Sequence, residues 1–206
     1  FFVSRDNPTG ALNVIVQLVK ERIPQKYGLD PHTDIQVLAP MHKGVCGTEG
    51  LNAALKAALN PQDDDDLDDV PVPVRGTRLD GGDKVMQLRN DYDNEVFNGD
   101  VGRVVHTEAN GTLIVEFSGR EVFYTRGERS RLTLAYCATI HKAQGSEYPA
   151  VVIPVLTEHF VMLERNLLYT GLTRARKLVV LVGQLRAIEL AVNNDKPRQR
   201  LSFLAA

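Results

Sequence analysis

Three stretches of this sequence concentrate hydrogen-bonding and cationic side chains of the kind that hold anions. In YCATIHKAQGSEYPAVVIP, residues 136–154, Thr139, His141, Lys142, Gln144, Ser146 and Glu147 stand between two apolar runs. Packing alone asks for no such density of polar groups, so the stretch has the make-up of a binding site. In LAPMHKGVCGTEGLN, residues 38–52, an apolar run ends in a loop carrying Lys43, Gly44 and Gly47 ahead of a helix. Backbone amides at a glycine-permitted helix N-terminus suit an anion. In LLYTGLTRARKLVVLVG, residues 167–183, Thr170, Thr173, Arg174 and Arg176 crowd a helix end just before an apolar strand. Each stretch alone has a plain alternative. The first is also a polar helix start at the surface, the second an ordinary strand-to-helix turn, and the third a set of cations favoured by a helix dipole.

The elements that must position these groups follow from periodicity. FFVS is a short strand, after which Asn7 is the expected N-cap and Pro8 the first residue of a helix. Leu12, Ile15, Val16, Val19 and Ile23 recur at helical spacing, and Pro24 is the expected stop. DIQVLAP predicts a buried strand and TEGLNAALKAALNP a helix, so the chain begins with the alternation of a parallel α/β sheet. QDDDDLDDVPVP breaks the pattern and is expected to be a solvated linker. From Arg75 to Arg131 the period falls to two, in DKVMQLR, GDVGRVVHTE, GTLIVEFSG and EVFYTR, which suits a small β-barrel. The α/β alternation then resumes: LTLAY as a strand, ATIHKAQG as a short helix, AVVIPV as a strand, MLERNLLYTGLTRA as a helix, KLVVLVG as a strand and RAIELAVNN as a last helix. The expected organisation is one α/β domain, residues 1–74 and 132–206, interrupted by a β domain at 75–131.

Bulk composition narrows the classes. With 43% hydrophobic and 24% charged residues the chain is an ordinary globular one. The net charge of −2 is unevenly spread: residues 61–74 carry six aspartates and no basic residue, while residues 136–186 carry six Lys/Arg against three Glu. An anionic partner for the second region is therefore compatible with an acidic average. Cys46 and Cys137 are too few for a disulfide framework or a zinc site, so no metal ligand set is expected and a reducing, cytoplasmic setting is. No apolar run approaches the roughly 18–20 residues of a membrane span. The opening FFVSRDN lacks an initiator Met, as an excised fragment would.

In this order and spacing, the three stretches resemble the C-terminal motor half of superfamily 1 DNA helicases of the RecD-like type. APMHKGVCGTEGLN looks like helicase motif IV, ATIHKAQGSEYPAVVIP like motif V, and LLYTGLTRARKLVVLVG like motif VI. RIPQKYGLDPHTDIQVL and GDKVMQLRNDYDNEVFNGDVGRV also fit that family's text. The resemblance implies a RecA-like second motor domain of the P-loop-NTPase type, its parallel sheet flanked by helices, with a small barrel of the Src-homology-3 (SH3) type inserted. It implies that Thr139 and His141, with Gln144 and Ser146 beside them, face single-stranded DNA. It also implies that Gly145 and Glu147 approach the nucleotide, that Arg174 is the finger reaching the γ-phosphate of ATP, and that Lys43 stands near the nucleotide cleft. Movement would be 5′ to 3′, as in the family.

The sequence also lacks parts that such an enzyme needs. A phosphate-cradling P-loop requires a Gly-Lys pair within G-x-x-x-x-G-K-[ST], and no Gly-Lys dipeptide occurs in the chain. No apolar strand ends in paired acidic residues suited to Mg²⁺. The resemblance places both in an N-terminal motor domain of the same polypeptide, so this chain alone is expected to be inactive. Other recombination or repair proteins are possible further partners. A non-catalytic nucleic-acid-binding module and an accessory subunit of a recombination nuclease complex remain the alternatives. Within the inserted module, nine Lys/Arg against ten Asp/Glu make no broadly basic surface. Arg126, Arg129 and Arg131 nevertheless cluster where it returns to the motor domain. Arg126 and Arg129 are expected to guide the DNA strand, unless these arginines pair with acids of the same module.

Overall fold

The structure, a computed structural model, describes residues 1–62, 72–74 and 77–194. The acidic run at 63–69, expected to be a linker, lies outside the described residues. β1 (Phe2–Ser4) leads into α1 (Pro8–Gln17), capped as expected by Asn7, whose side chain accepts from Gly10 N at 2.7 Å. The helix does not stop at Pro24. It widens into a π turn over Leu18–Arg22, where Ile23 N bonds back to Leu18 O, and continues as α2 (Ile23–Tyr27). In a regular helix the Pro24 ring would meet the carbonyl four residues earlier and leave it without a donor. One wider turn moves that carbonyl aside.

β2 (Ile35–Ala39) is buried at every position and is followed by α3 (Thr48–Leu59). Val72–Val74, expected within the linker, forms β3 and pairs antiparallel with β4 (Thr77–Leu79). Next come β5 (Lys84–Gln87), β6 (Val101–Thr107), β7 (Leu113–Phe117) and β8 (Arg120–Tyr124), all where the period-two pattern put them. β9 (Leu132–Leu134) and β10 (Cys137–Thr139) precede β11 (Tyr148–Val155), α4 (Arg165–Leu172), β12 (Ala175–Gly183) and α5 (Leu185–Asn193).

Two sheets result. One is wholly parallel, in the order β1-β12-β11-β2-β10; the other is an antiparallel SH3-type meander, β8-β7-β6-β5-β9. β9 was expected as the first strand of the resumed α/β unit. It pairs instead with β5, Leu134 opposite Val85 and Leu132 opposite Gln87, so the chain changes sheets between Leu134 and Cys137. Three residues alternating apolar and polar, Leu132-Thr133-Leu134, specify a strand but not its neighbour.

Strand alternation gives the parallel sheet two apolar faces. Ile35, Val37, Ala150, Val152, Val180 and Val182 join Ala11, Ile15, Leu51 and Leu55 of α1 and α3 on one face. Leu38, Val151, Ile153 and Val155 join Leu167, Leu168, Ala187 and Ala191 of α4 and α5 on the other. Helices thus cover both faces, the arrangement a parallel sheet requires. The first core runs on into Val85, Val104, Leu113, Val115 and Leu132 of the meander, so the two sheets share one interior.

A buried polar knot fastens α3 to the meander. Lys56 Nζ lies 2.6 Å from Asp80 Oδ2 and 2.5 Å from Asp83 Oδ2. Asn60 Nδ2 and the Tyr136 hydroxyl both donate to Asp83 Oδ1, at 2.8 and 3.0 Å. Asp83 is wholly buried, and these donors supply the compensation that a buried carboxylate needs.

Candidate functional site

The segment from β9 to β10 is held by two buried amides. Gln36 Nε2 donates to the carbonyls of Ala135 and Tyr136, at 3.1 and 3.3 Å. Asn52 binds Cys137 from both sides, Nδ2 to the carbonyl at 2.9 Å and Oδ1 from the amide at 2.8 Å. Sequence reasoning passed over both residues; a glutamine inside an otherwise apolar strand was the available signal. They fix the strand that presents Thr139.

Beyond Thr139 the expected short helix does not form. Lys142 N and Ala143 N both bond to Thr139 O, at 3.0 and 3.2 Å, Gln144 N bonds to His141 O, and the chain passes through consecutive turns. Gly145, with φ 91, ends the run, and no atom lies within 4 Å of where a Cβ would project. A ligand can come close to the backbone there, which a side chain would prevent.

The parallel sheet separates the expected residues into two groups. At the C-terminal ends of β2 and β10, Thr139, Lys142, His42, Thr48, Glu49 and Asn52 surround a cleft of about 260 Å³ and its smaller extension, walled on the far side by Thr133 and Leu134 of β9. His42 Nδ1 and Thr48 Oγ1 are 3.0 Å apart. Thr139 is buried and its Oγ1 accepts from Lys142 N at 3.3 Å, whereas His141 and Gln144 are exposed. Gly99, in the turn before β6, lies beside the Lys142 carbonyl, so the meander abuts this turn directly. Lys43 is exposed on the loop that follows β2, at this same end.

The second group gathers where β11 and β12 begin. Arg174 donates from Nη1 to Ser146 O, from Nε to Thr170 O and from Nη2 to Thr173 Oγ1, each at 3.2 Å. Its own carbonyl accepts from Tyr148 N at 2.8 Å. Among the described residues every acceptor of this guanidinium is neutral, so its charge is oriented without being cancelled. Arg176 differs: its Nε meets Glu147 Oε2 at 2.8 Å in an exposed ion pair. Tyr148 also lines a cleft of about 470 Å³ that reaches Lys84, His32 and Arg103. Lys84 is buried with Nζ on Ile35 O at 3.2 Å, and burial draws its ammonium down to about 8.

β11 is eight residues long, which puts roughly 25 Å between its ends. Arg174, Gly145 and Glu147 therefore stand together. Lys43, expected near the nucleotide, belongs by position to the end that carries Thr139. Ser146, expected with the DNA-facing residues, belongs by position to the Arg174 group. Arg126 and Arg129 sit apart, between β8 and β9; Arg126 is exposed and Arg129 buried. No three His, Cys, Asp or Glu among the described residues are grouped to hold a metal ion, and no described helix is long and apolar enough to cross a membrane.

Residues 134–182, which hold Thr139, Lys142 and the whole Arg174 group, match the UvrD-like helicase C-terminal domain, and residues 51–117 match the ATP-dependent RecD-like DNA helicase SH3 domain. The ATP-dependent RecD2 DNA helicase of Deinococcus radiodurans is 38% identical over 170 residues, 82% of this chain and 23% of that protein. The chain is thus similar to the C-terminal region of RecD-like helicases. The RecBCD enzyme subunit RecD of Haemophilus influenzae is 35% identical over 118 residues, 57% of this chain and 17% of that subunit. The chain thus spans about a quarter or less of the length of these relatives. Among solved structures, the Pif1 helicase from Candida albicans aligns with a TM-score of 0.50 at 18% identity, over 88% of this chain and 56% of that one. That likeness concerns the fold: a RecA-like parallel sheet with an SH3-type insertion.

Proposed function

We propose that this chain is the second motor domain of an ATP-dependent DNA helicase, interrupted by an inserted barrel whose last strand is β9, Leu132–Leu134. One observation carries the reading. Arg174 is held by three neutral acceptors beside Gly145, where the backbone is open to a ligand. A guanidinium fixed in this way, with its charge unspent, suits the charge that spreads over γ-phosphoryl oxygens during transfer.

ATP with Mg²⁺ would be held mainly by an N-terminal motor domain of the same polypeptide, which brings the P-loop this chain lacks. Arg174 would then complete the site across the cleft, so that hydrolysis depends on domain closure. Gly145 would allow the phosphates to come near, and Glu147 would exchange its Arg176 pairing for the nucleotide. At the opposite end of β11, His141 and the hydroxyl of Thr139 would meet the backbone of single-stranded DNA, a contact that holds without reading bases, with Gln144 in the turns that lead from there to Gly145. Lys43 faces this end by position and is assigned to it. The turns between Thr139 and Glu147 link the two ends, which gives a path from hydrolysis to strand movement. A reducing, cytoplasmic setting agrees with Cys46 and Cys137 being buried and unpaired. Recombination or repair proteins are proposed as partners because one relative is a subunit of the RecBCD enzyme.

The test is ATP hydrolysis by the longer polypeptide with and without single-stranded DNA, together with unwinding of a tailed duplex. DNA-stimulated hydrolysis coupled to unwinding is expected. DNA binding with no stimulated hydrolysis would replace the motor with a non-catalytic binding module.

A further inference from the structure

Arg126 and Arg129 form an electrostatic anomaly. Arg129 is only 7% exposed, and its Nε and Nη2 are buried with no hydrogen-bond partner. Beside it, Gly111 in the β6–β7 turn has φ 85, and a Cβ built there would lie 2.8 Å from Arg126 Nε and 2.9 Å from Arg129 Nη2. Both guanidinium groups therefore converge on the bare backbone of one glycine. The neighbouring acids are engaged elsewhere: Asp91 and Glu128 lie 3.2 and 3.5 Å from Arg131 Nη1, and Glu128 also takes the Thr125 hydroxyl at 2.7 Å. Of the three clustered arginines, Arg131 is the one with acidic partners; no carboxylate pairs with Arg126 or Arg129 among the described residues. Burial, and then the charge of Arg126, make the Arg129 cation less favourable than usual.

Two like charges held together, one of them buried, raise the free energy of the fold unless an anion sits between them. Guanidinium donors in a fork match phosphate oxygens in geometry and charge. We propose that Gly111, Arg126 and Arg129 form a phosphate-binding nook on the inserted unit, separate from the Arg174 group. Gly111 lets both arginines close on its backbone, since a Cβ there would displace them and φ 85 itself favours glycine. The nook gives the strand-guiding role of Arg126 and Arg129 a defined contact, and it rests on the helicase reading only for the source of the phosphate. That source is a nucleic-acid backbone or a free phosphate group.

The experiment uses this chain as it stands. Thermal unfolding is measured in phosphate and in chloride at matched ionic strength for the unsubstituted chain, Arg126→Ala and Arg129→Met. The nook predicts a higher melting temperature in phosphate than in chloride, an increment that both variants lose. It also predicts that Arg129→Met is at least as stable as the parent in chloride, because an unpaired buried charge has gone. Calorimetric titration with inorganic phosphate should show binding weakened roughly tenfold or more by Arg126→Ala, an exposed position that leaves the fold intact. A short oligothymidylate separates the sources. If both variants weaken its binding and make the log–log salt slope shallower by about 0.7 per lost contact, the phosphate belongs to a strand. Oligothymidylate binding untouched by either variant, with the phosphate increment still lost, assigns the nook to free phosphate. Equal melting temperatures of the unsubstituted chain in phosphate and chloride overturn the proposal. So does an Arg126→Ala chain that keeps the full increment. None of these readings involves ATP hydrolysis, so failure of the motor reading would leave them standing.

Discussion

Arg174 Nη1 donates to the main-chain carbonyl of Ser146 at 3.2 Å, tying the start of β12 to the turn that opens β11. Its Nε caps the end of α4 at Thr170 O. The side chain thus has a structural use and a free charge at once. In the longer polypeptide, Arg174→Ala is expected to lower kcat by about 10³–10⁵, the worth of an arginine finger, with DNA binding nearly intact. Arg174→Lys should not restore it, because one ammonium cannot reproduce the fork. Near-normal kcat with lowered stability would reduce Arg174 to a helix cap.

Thr139→Ala combined with His141→Ala should weaken single-stranded DNA binding to a similar extent for different base sequences, since the contacts proposed are to phosphate. Hydrolysis without DNA should barely change. Fluorescence anisotropy with homopolymers of contrasting base gives the comparison, and a loss confined to one base would contradict the assignment.

Lys56→Met should destabilise the chain by about 3–5 kcal/mol, because the wholly buried Asp83 would lose the ammonium beside it. Urea unfolding measures this directly. A change below about 1 kcal/mol would mean that the knot between α3 and the meander behaves like a surface ion pair.

His159 is 1% exposed, and burial draws its imidazole from 6.5 down to about 4. Between those values the unfolded chain takes up a proton that the folded chain does not. Stability should therefore fall as pH drops from 6.5 towards 4, by up to about 3 kcal/mol. His159 Nδ1 accepts from Leu156 N at 3.4 Å, so His159→Asn keeps an acceptor while removing the titration. The variant should flatten the acid limb of the stability profile; an unchanged limb would place its cause elsewhere.

The legible parts of this fold are those decided locally. Asn7 and Pro8 announce a helix start by chemistry that acts within one turn, and the strands of the meander follow from side-chain alternation. Pro24 misled because the cost of proline in a helix depends on the turn before it, and a π turn removes that cost. Leu132–Leu134 misled because the partner of a strand lies elsewhere in the chain. The expectation that Gly145 and Glu147 stand with Arg174 came from the resemblance to helicase motifs V and VI, whereas the position of Lys43 depends on which end of the sheet its loop joins. For Arg126, Arg129 and Arg131, proximity was visible in the sequence, but only the folded chain shows that Arg131 has acidic partners and that, among the described residues, the other two have none.

The central claim is that this chain holds half of a motor. Its most direct test is ATP turnover by the purified 206-residue chain, alone and then joined to an N-terminal RecD-like motor domain, with and without single-stranded DNA. The account predicts no turnover above background for the chain alone and DNA-stimulated hydrolysis once the halves are joined. Turnover by the isolated chain, lost on Arg174→Ala so that contamination is excluded, would contradict it.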